Sequence, residues 1–480
     1  MKKIIFFLSL IFLIFFIYNG LPYKNLSSNY QFFLSIIRIL YFSVFIIYLL
    51  KLKELSYIQF NENYKELNII CNILIACSLL IVLGIFTKFF VLLHFLLYLF
   101  LFRKSRANFF SIEQSYHQIM GIFFIFSNSN LYFSFDRLFE IKDFFTFKDS
   151  TSLNFLVLSI SVCLISGFYE KLNSKLWKSG KILNIFLNLP HIATTRFNKT
   201  FVKIFFNKYI CYIALINQTL LFALLFNDLR LLFYIGELVF SICLVLLTPL
   251  SYIGATFVII FSLLITTEFI NLDYVNFVQE VGLENNSYKL YFIDYFLGFL
   301  ILNSFVACFY KIPIFFDKTN RYTLGLFPFS VYTEVHIYGI RVFKISGFYN
   351  SKLVHNNLFD IYNEQGEVVA KHLWKPSTIL GLTYRITDIC ERILHKNSTQ
   401  YDEKILISLF KNTIDLNKKK INDTDVLKLY VKTINPSNET NNPKNWIDKD
   451  WSEIAQYNIS KEKPFDWTGL PSIATKILRK

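Results

Sequence analysis

The sequence has little of what marks a metalloprotein or a thiol-based redox protein. Its 480 residues include seven cysteines, and these are scattered along the chain. No Cys-x-x-Cys pair occurs, and no cysteine stands at metal-site spacing from a histidine. Most of the cysteines lie in or beside apolar runs, where cysteine usually packs as a small hydrophobic side chain. The pattern predicts no metal site, and the C-terminal tail, which holds only Cys390, has no internal disulfide.

Proline is also scarce, and none of the ten prolines lies inside a long apolar run. Transporters commonly bind their substrates at helices broken by glycine or proline, in paired positions near the bilayer midplane. The chain shows no such pair, no internal repeat and no glycine-rich nucleotide-binding loop. These absences place a transporter last among the functions considered below.

Long apolar runs dominate what the sequence does contain. Hydrophobic residues make up 54% of the chain, which includes 56 phenylalanines. A soluble globular chain is only about 45–50% apolar. Because a membrane-spanning helix needs roughly 17–25 apolar residues, we predict an all-α, multi-pass membrane domain with about nine or ten spanning helices. The predicted spans are 1–18, 31–50, 68–86, 89–102, 115–133, 152–169, 209–227, 231–248, 252–270 and 290–309.

The basic residues predict an orientation in the membrane. Lysine and arginine are commoner in the segments that would face the cytoplasm if residue 1 is cytoplasmic. The net charge of +15 is therefore assigned to loops and tail that face anionic lipid, and no nucleic-acid partner is expected. The run at 1–18 is either a signal peptide or an uncleaved first helix, and the absence of a small-residue cleavage site favours the helix. The expected location is a cell membrane, and the bias toward Phe, Ile, Lys and Asn points to a bacterial cytoplasmic membrane.

Near residue 315 the composition changes from apolar to mixed. We predict an N-terminal hydrophobic segment at 1–20, a transmembrane domain at 21–315 and a small soluble α+β domain at 316–480. Within the last of these, the predicted elements are a hairpin of strands 358–362 and 367–374 around a turn at 363–366, a helix capped by Ser377, a helix at 402–416 and a strand at 426–434.

Ionisable residues inside apolar runs are costly and require either a function or a structural partner. They are Arg38, His94, His117, Lys171, Glu237, Glu268 and Asp294. For Arg38 we expect a structural ion pair with Glu237 or Asp294. His94 is expected to be a hydrogen-bonded core residue. His117 is the better candidate for chemistry, because it stands near Glu113 at the polar edge of a run.

Lys171 lies where the apolar run 152–169 meets a polar segment, and two interpretations are open. A lysine at a helix end can extend its ammonium to the membrane surface and have no chemical role. A lysine held in an apolar cavity favours its neutral form, which can accept a proton. The neighbouring lysines favour the first interpretation, and so does Glu170, because an adjacent carboxylate favours the charged form of the lysine.

Several short motifs follow one another along the chain. They are Arg38 in an apolar run, Leu-Gly-Ile-Phe-Thr-Lys at 83–88, Phe-Ser-Phe-Asp at 133–136, Ser-Gly-Phe-Tyr-Glu-Lys-Leu at 166–172 with Trp177 and Gly180, and Phe-Pro-Phe-Ser-Val-Tyr at 327–332. In this order they resemble the motifs of the HTTM membrane domain, the family that includes vitamin K-dependent gamma-glutamyl carboxylase. The resemblance covers roughly residues 31–332.

The resemblance implies a function for particular residues. Members with known activity oxidise reduced vitamin K with O2 and use the reaction to carboxylate glutamate side chains of a protein substrate. By this resemblance, Lys171 is the base that deprotonates the hydroquinone, and His117 is a second catalytic candidate. Arg38, Tyr169 and Trp177 are the corresponding candidates for binding the quinone, which is expected in an apolar pocket beside Lys171.

The sequence also departs from the carboxylase pattern. One extra residue separates Lys171 from Trp177, and Glu170 replaces a second lysine. The carboxylase histidine falls here at Glu113, four residues before His117. The chain has no room for the large lumenal domain that recognises the propeptide. Three functions therefore remain open: a carboxylase-like or quinol-dependent oxidative enzyme, a non-catalytic scaffold that presents the C-terminal domain to a partner, and a transporter.

Overall fold

The computed structural model of the chain describes residues 10–11, 28–54, 64–105, 111–141, 149–180, 208–219, 227–247, 251–269, 298, 301–302, 305–306, 340–358, 400–434, 450–460 and 465–467. The helices are α1 (Ser28–Glu54), α2 (Tyr64–Leu83), α3 (Thr87–Ser105), α4 (Ser111–Phe126), α5 (Phe135–Leu138), α6 (Asp149–Asn173), α7 (Lys175–Lys178), α8 (Lys208–Thr219), α9 (Asn227–Leu247), α10 (Ser251–Phe269) and α11 (Gln400–Leu416). The strands are β1 (Ile340–Tyr349), β2 (Lys352–His355), β3 (Val426–Ile434), β4 (Ser452–Asn458) and β5 (Phe465–Trp467).

In the described part of the chain, four helices are long and apolar enough to cross a membrane. Their apolar portions are Tyr30–Lys53 in α1, Lys65–Leu83 in α2, Thr151–Asn173 in α6 and Leu229–Leu246 in α9. Three shorter apolar helices accompany them, at Thr87–Leu101, Ser115–Phe126 and Tyr252–Glu268. These helices coincide with predicted spans, and the mostly helical architecture predicted from the apolar runs is confirmed.

The helices pack around a core of large aromatic side chains. Helix α1 packs on α2 and α10, α9 packs on α10, and α4 contacts both α3 and α6. Tyr41 and Phe42 of α1, Phe123 of α4 and Phe261 of α10 are all buried. Because these rings fill the space between helices that lack strongly polar faces, packing rather than amphipathic patterning holds the bundle together.

The outer faces of several helices expose apolar side chains. Leu40 and Ile47 of α1 are 47% and 54% exposed, and Leu232 and Val239 of α9 are 57% and 55% exposed. In each helix the two residues are seven apart and therefore lie on one face. Soluble monomers rarely expose long apolar stripes of this kind. The stripes are typical of helices that face lipid.

The predicted span at 115–133 is wrong at its C-terminal end. Helix α4 ends at Phe126, and residues 127–134 form an irregular segment that turns back into the protein. Ser127 and Ser129 of this segment are buried, and their carbonyls accept hydrogen bonds from Lys88 and Arg38. Of the predicted span 290–309, the structure describes helical residues only at 298, 301–302 and 305–306.

The C-terminal strands form an antiparallel sheet in the order β2-β1-β3-β4-β5. Leu427 and Leu429 of β3 are buried on the same face as Tyr457 of β4, whose ring stacks on Phe410 of α11 at 5.4 Å. The helix predicted at 402–416 and the strand predicted at 426–434 are confirmed.

The hairpin observed in this sheet is not the predicted one. Strands β1 and β2 are joined at Asn350 and Ser351, which both have positive φ angles, of 46° and 62°. This backbone is typical of a tight hairpin turn, but Asn-Ser is a weaker turn signal than Asn-Gly and was missed. Of the predicted hairpin at 358–374, the structure describes only Leu358, which lies in a bend. The helix predicted after Ser377 lies outside the described residues.

Candidate functional site

Two of the motifs in the sequence meet where α2 ends and α3 begins. The Asp136 carboxylate accepts hydrogen bonds from the backbone amides of Phe86, at 2.6 Å, and Thr87, at 2.8 Å, and from the Thr87 hydroxyl, at 2.8 Å. The first amides of a helix have no partner within the helix. Asp136 therefore caps α3 from a distant part of the chain.

Gly84 brings the same two segments into contact. Its φ angle is +72°, and its carbonyl accepts a hydrogen bond from the Asp136 amide at 2.9 Å. A Cβ atom at this position would overlap the Ser134 side chain. Lys88, four residues later, donates to the carbonyls of Ile125 and Ser127 and so satisfies the C-terminal end of α4.

Arg38 completes this group, which we call the Arg38–Asp136 cluster (Arg38, Gly84, Thr87, Lys88, Ser129, Phe133, Ser134 and Asp136). The guanidinium is buried and donates to the carbonyls of Ser129, at 2.8 Å, and Phe133, at 2.6 Å. The expected ion pair with Glu237 is wrong, and Asp294 lies outside the described residues. The observed contacts give Arg38 a structural role, and its predicted contact with a quinone stays a prediction.

The second group forms where α6 ends. Lys171 is 9% exposed, and its Nζ atom lies 4.9 Å from the centroid of the Trp177 ring. The helix is interrupted at Ser174 and is followed by the short helix α7, which places the Trp177 ring over the lysine. Within the described part of the chain, the Lys171 amine makes no hydrogen bond and no salt bridge. It is held against an aromatic face inside the protein.

Helix α8 supports the turn that carries Trp177. Trp177 is 3% exposed and packs with Cys211, which is completely buried. The Cys211 thiol donates to the Gly180 carbonyl at 3.4 Å, and the Tyr212 hydroxyl donates to the Lys178 carbonyl at 3.0 Å. Two contacts from one helix therefore fix the segment that covers Lys171.

Glu237 of α9 is the charged partner of this group. It is 2% exposed, and its charge interacts with that of Lys171, although the two make no direct salt bridge. Glu237 accepts a hydrogen bond from the Asn217 amide at 2.8 Å. Asn217 in turn packs against the backbone of Gly236, where any side chain would displace it. The carboxylate is thus held in place from α8.

Tyr116 brings helix α4 to the same group. Its hydroxyl lies within electrostatic range of both Glu237 and Cys163. The ring is buried and contacts Phe257 edge-on at 4.5 Å. We call Lys171, Trp177, Glu237, Asn217 and Tyr116 the Lys171 site. It combines a buried amine, a carboxylate and a phenol in apolar surroundings, a combination that can transfer a proton to or from a substrate.

Sequence reasoning found part of this site. It paired Lys171 with Trp177, and the structure brings the two together. Tyr169 lies two positions before Lys171 on α6, so the two side chains do not share a face, and Tyr169 packs against the main core. Glu237 was predicted as a charge in an apolar run and as a partner of Arg38, and nothing in the sequence marked Asn217 or Tyr116.

The sequence predicted His117 at the polar edge of an apolar run. The structure places it instead in a separate aromatic cluster. It is 1% exposed, and its Nδ1 atom lies 2.5 Å from the Tyr41 hydroxyl. His94, also in this cluster, is a core residue as predicted, but its Nε2 atom has no hydrogen-bond partner. Glu268 forms a salt bridge with Arg230 at 2.8 Å, so the charge of this carboxylate has a structural partner.

Among the described residues, no group of three or more His, Cys, Asp or Glu side chains could hold a metal ion. Comparison of the chain with protein-family models, with curated proteins and with solved structures gives no match.

Proposed function

We propose that this chain is a multi-pass membrane enzyme of the carboxylase-like, quinol-dependent class, and that Lys171 is its base. The observation that carries the proposal is the position of the Lys171 amine, buried beneath Trp177 and facing Glu237. A lysine that merely anchors a helix end would extend its ammonium to water. Lys171 does not, so its position favours chemistry over anchoring.

Glu237 supplies what the lysine needs to act as a base. In its neutral form the amine accepts a proton, and the product is an ammonium ion inside an apolar environment. A carboxylate nearby stabilises this ion, and so does the face of the Trp177 ring. The amine and the carboxylate make no direct salt bridge, and we propose that a hydroxyl group of the substrate binds between them.

The residues of the site fit a hydroquinone. Trp177 offers an aromatic surface for a flat ring, and Lys171 offers an acceptor for a phenolic proton. Tyr116 and Glu237 offer further hydrogen-bonding groups beside the apolar core. A hydroquinone bound here would supply two electrons for the reduction of O2. The protein's own contribution is to orient the ring, exclude water and take the proton at Lys171 Nζ.

The rest of the chain supports a membrane location for this chemistry. Four described helices are long enough to cross a bilayer, and outward stripes of α1 and α9 are apolar. A hydroquinone of the vitamin K type is soluble in lipid and would reach the Lys171 site from the bilayer. A bacterial cytoplasmic membrane and a glutamate-containing protein or peptide as second substrate are part of the proposal.

Incorporation of labelled bicarbonate tests this function. Membranes with the wild-type chain, Lys171→Ala or Lys178→Ala would receive reduced naphthoquinone, O2 and glutamate peptides. Lys178 is exposed in the same segment and is the matched control. Label that requires Lys171 but not Lys178 would support carboxylation. Hydroquinone consumption without label would indicate an oxidative enzyme with a different second substrate. The absence of both label and hydroquinone consumption would contradict the proposal.

A further inference from the structure

A second group of buried polar side chains lies away from the Lys171 site, where α1, α3, α4 and α10 meet. The Tyr41 hydroxyl is 2.5 Å from His117 Nδ1 and 3.2 Å from the Tyr252 hydroxyl. All three side chains are buried. We call Tyr41, His117 and Tyr252, with the rings that surround them, the Tyr41–His117 cluster.

The Tyr252 hydroxyl also lies 3.4 Å from His117 Nδ1, a longer contact than that of the Tyr41 hydroxyl. His117 Nε2 is buried without a partner. When the histidine carries its proton on Nε2, the Tyr41 hydroxyl donates to Nδ1, and the Tyr252 hydroxyl donates to the Tyr41 oxygen. Tyr41 is then a phenol whose proton points at a strong acceptor over a short hydrogen bond. A phenol loses an electron far more readily when its proton can leave in the same step.

Aromatic rings enclose His117. The Phe45 ring is stacked on the imidazole with centroids 4.0 Å apart and an interplanar angle of 13°. The Tyr98 ring lies at 4.0 Å, tilted by 60°. Aromatic faces attract cations in an apolar environment. A contact of this kind offsets part of the cost of burying an imidazolium at His117.

Helix α1 also places the cluster close to lipid. Leu40, next to Tyr41 in the sequence, is 47% exposed on the apolar outer face of α1. A helix with its side chains is about 10–12 Å across, so an oxidant beside Leu40 is within about one helix diameter of the Tyr41 ring. An electron can tunnel over this distance, whereas a hydrogen atom cannot cross it. The proton must therefore be accepted locally.

We propose that Tyr41 is a one-electron donor to lipid peroxyl radicals, with His117 Nδ1 receiving the phenolic proton. The Tyr41 O–H bond breaks, an N–H bond forms at Nδ1, and the electron passes to the peroxyl radical. The products are a neutral tyrosyl radical, an imidazolium and a peroxide anion, which takes a proton from water at the headgroups. A hydroquinone in the bilayer then reduces the tyrosyl radical, loses a proton to water and becomes a semiquinone, and the proton at Nδ1 returns to the Tyr41 oxygen.

Electron paramagnetic resonance tests the proposal. The full chain in liposomes of polyunsaturated lipid would be exposed in air to a lipid-soluble azo initiator and then rapidly frozen. We expect a tyrosyl signal in the wild type that is lost in Tyr41→Phe. Tyr48→Phe is the matched control, because Tyr48 lies on the same helix and stacks on Tyr252 at 4.4 Å. It should keep the signal. An equal signal in Tyr41→Phe and wild type would overturn the proposal.

Two further measurements separate proton acceptance from a structural role. His117→Leu retains the Tyr41 phenol but removes its acceptor, so the tyrosyl signal should be lost while gel filtration of the variant stays normal. An unchanged signal would contradict the assigned role of His117. In wild-type protein labelled with 15N-histidine, electron–nuclear double resonance should detect 15N coupled to the radical. Absence of this coupling would place the radical on another tyrosine, even if the variants fail to fold.

Discussion

The Asp136 carboxylate accepts hydrogen bonds from both the backbone amide and the hydroxyl of Thr87, each at 2.8 Å, although the two residues are 49 positions apart in the chain. The same carboxylate lies close enough to the buried Arg38 guanidinium for their charges to interact. A pair of charges and a helix cap are thus combined in one buried group. This arrangement explains why an arginine, a glycine and an aspartate from three motifs occur together.

Replacement of Asp136 by alanine should destabilise the protein strongly. The change leaves the first amides of α3 and the Thr87 hydroxyl without a partner, and it removes the charge nearest Arg38. We expect a loss of about 3 kcal/mol in stability. Thermal unfolding in detergent, followed by gel filtration, measures the change. Glu66→Ala, at an exposed position in the first turn of α2, should shift the midpoint little. Similar midpoints for the two variants would show that the cap is unimportant.

Gly84→Ala should also be destabilising, for a steric reason. Its positive φ angle disfavours any side chain, and the new methyl group would overlap Ser134. Gly167 is the matched control, because it lies within α6 and a Cβ atom there meets nothing within 4 Å. Gly167→Ala should be neutral or stabilising by up to about 1 kcal/mol, since alanine is the better helix former. The same thermal assay compares the two. If both variants unfold alike, the proposed contact between Gly84 and Ser134 is wrong.

The sequence predicted the helices much better than it predicted the site. Apolar runs such as 31–50 and 231–248 are long enough for a helix to bury their large side chains, and both runs form helices. The end of α4 at Phe126 was not predicted. The carbonyls of Ser127 and Ser129, which follow it, accept hydrogen bonds from Lys88 and Arg38 of distant segments. Local composition carries no information about such partners.

The Lys171 site shows the same limit. Lys171 and Trp177 are near in sequence, and a motif could relate them. Glu237 and Asn217 reach the site from α9 and α8, and only the packing of these helices places them there. The expectation that Arg38 pairs with Glu237 failed for this reason, because a sequence supplies charges but does not say which helices are neighbours.

Glu237→Gln should slow hydroquinone oxidation while leaving the fold intact. The glutamine oxygen can still accept the hydrogen bond from Asn217, so only the charge facing Lys171 is lost. We expect a decrease of about tenfold, a part of the roughly 10²–10⁴-fold that a general base contributes. Hydroquinone absorbance in detergent-solubilised protein measures the rate, with Glu66→Gln as an exposed control. A wild-type rate in Glu237→Gln would remove the carboxylate from the mechanism.

Gly236→Ala should have a similar effect without changing any charge. The added methyl group displaces Asn217, which then no longer holds the Glu237 carboxylate. The expected result is slower hydroquinone oxidation, which Asn217→Ala should reproduce. The double variant should be no slower than either single variant, because both changes remove the same contact. Additive losses would mean that the two residues act separately.

Chemical rescue of Lys171→Ala tests the assignment of this lysine most directly. Truncation removes the amine and leaves space beneath Trp177 that a small amine can enter. The account predicts that hydroquinone oxidation by Lys171→Ala falls about 10²–10⁴-fold and that added methylamine restores part of it in proportion to its concentration. Lys178→Ala should oxidise hydroquinone at the wild-type rate, and added methylamine should not change that rate. A wild-type rate in Lys171→Ala, or a loss that no amine restores while the variant stays folded, would contradict the role of Lys171 as the base.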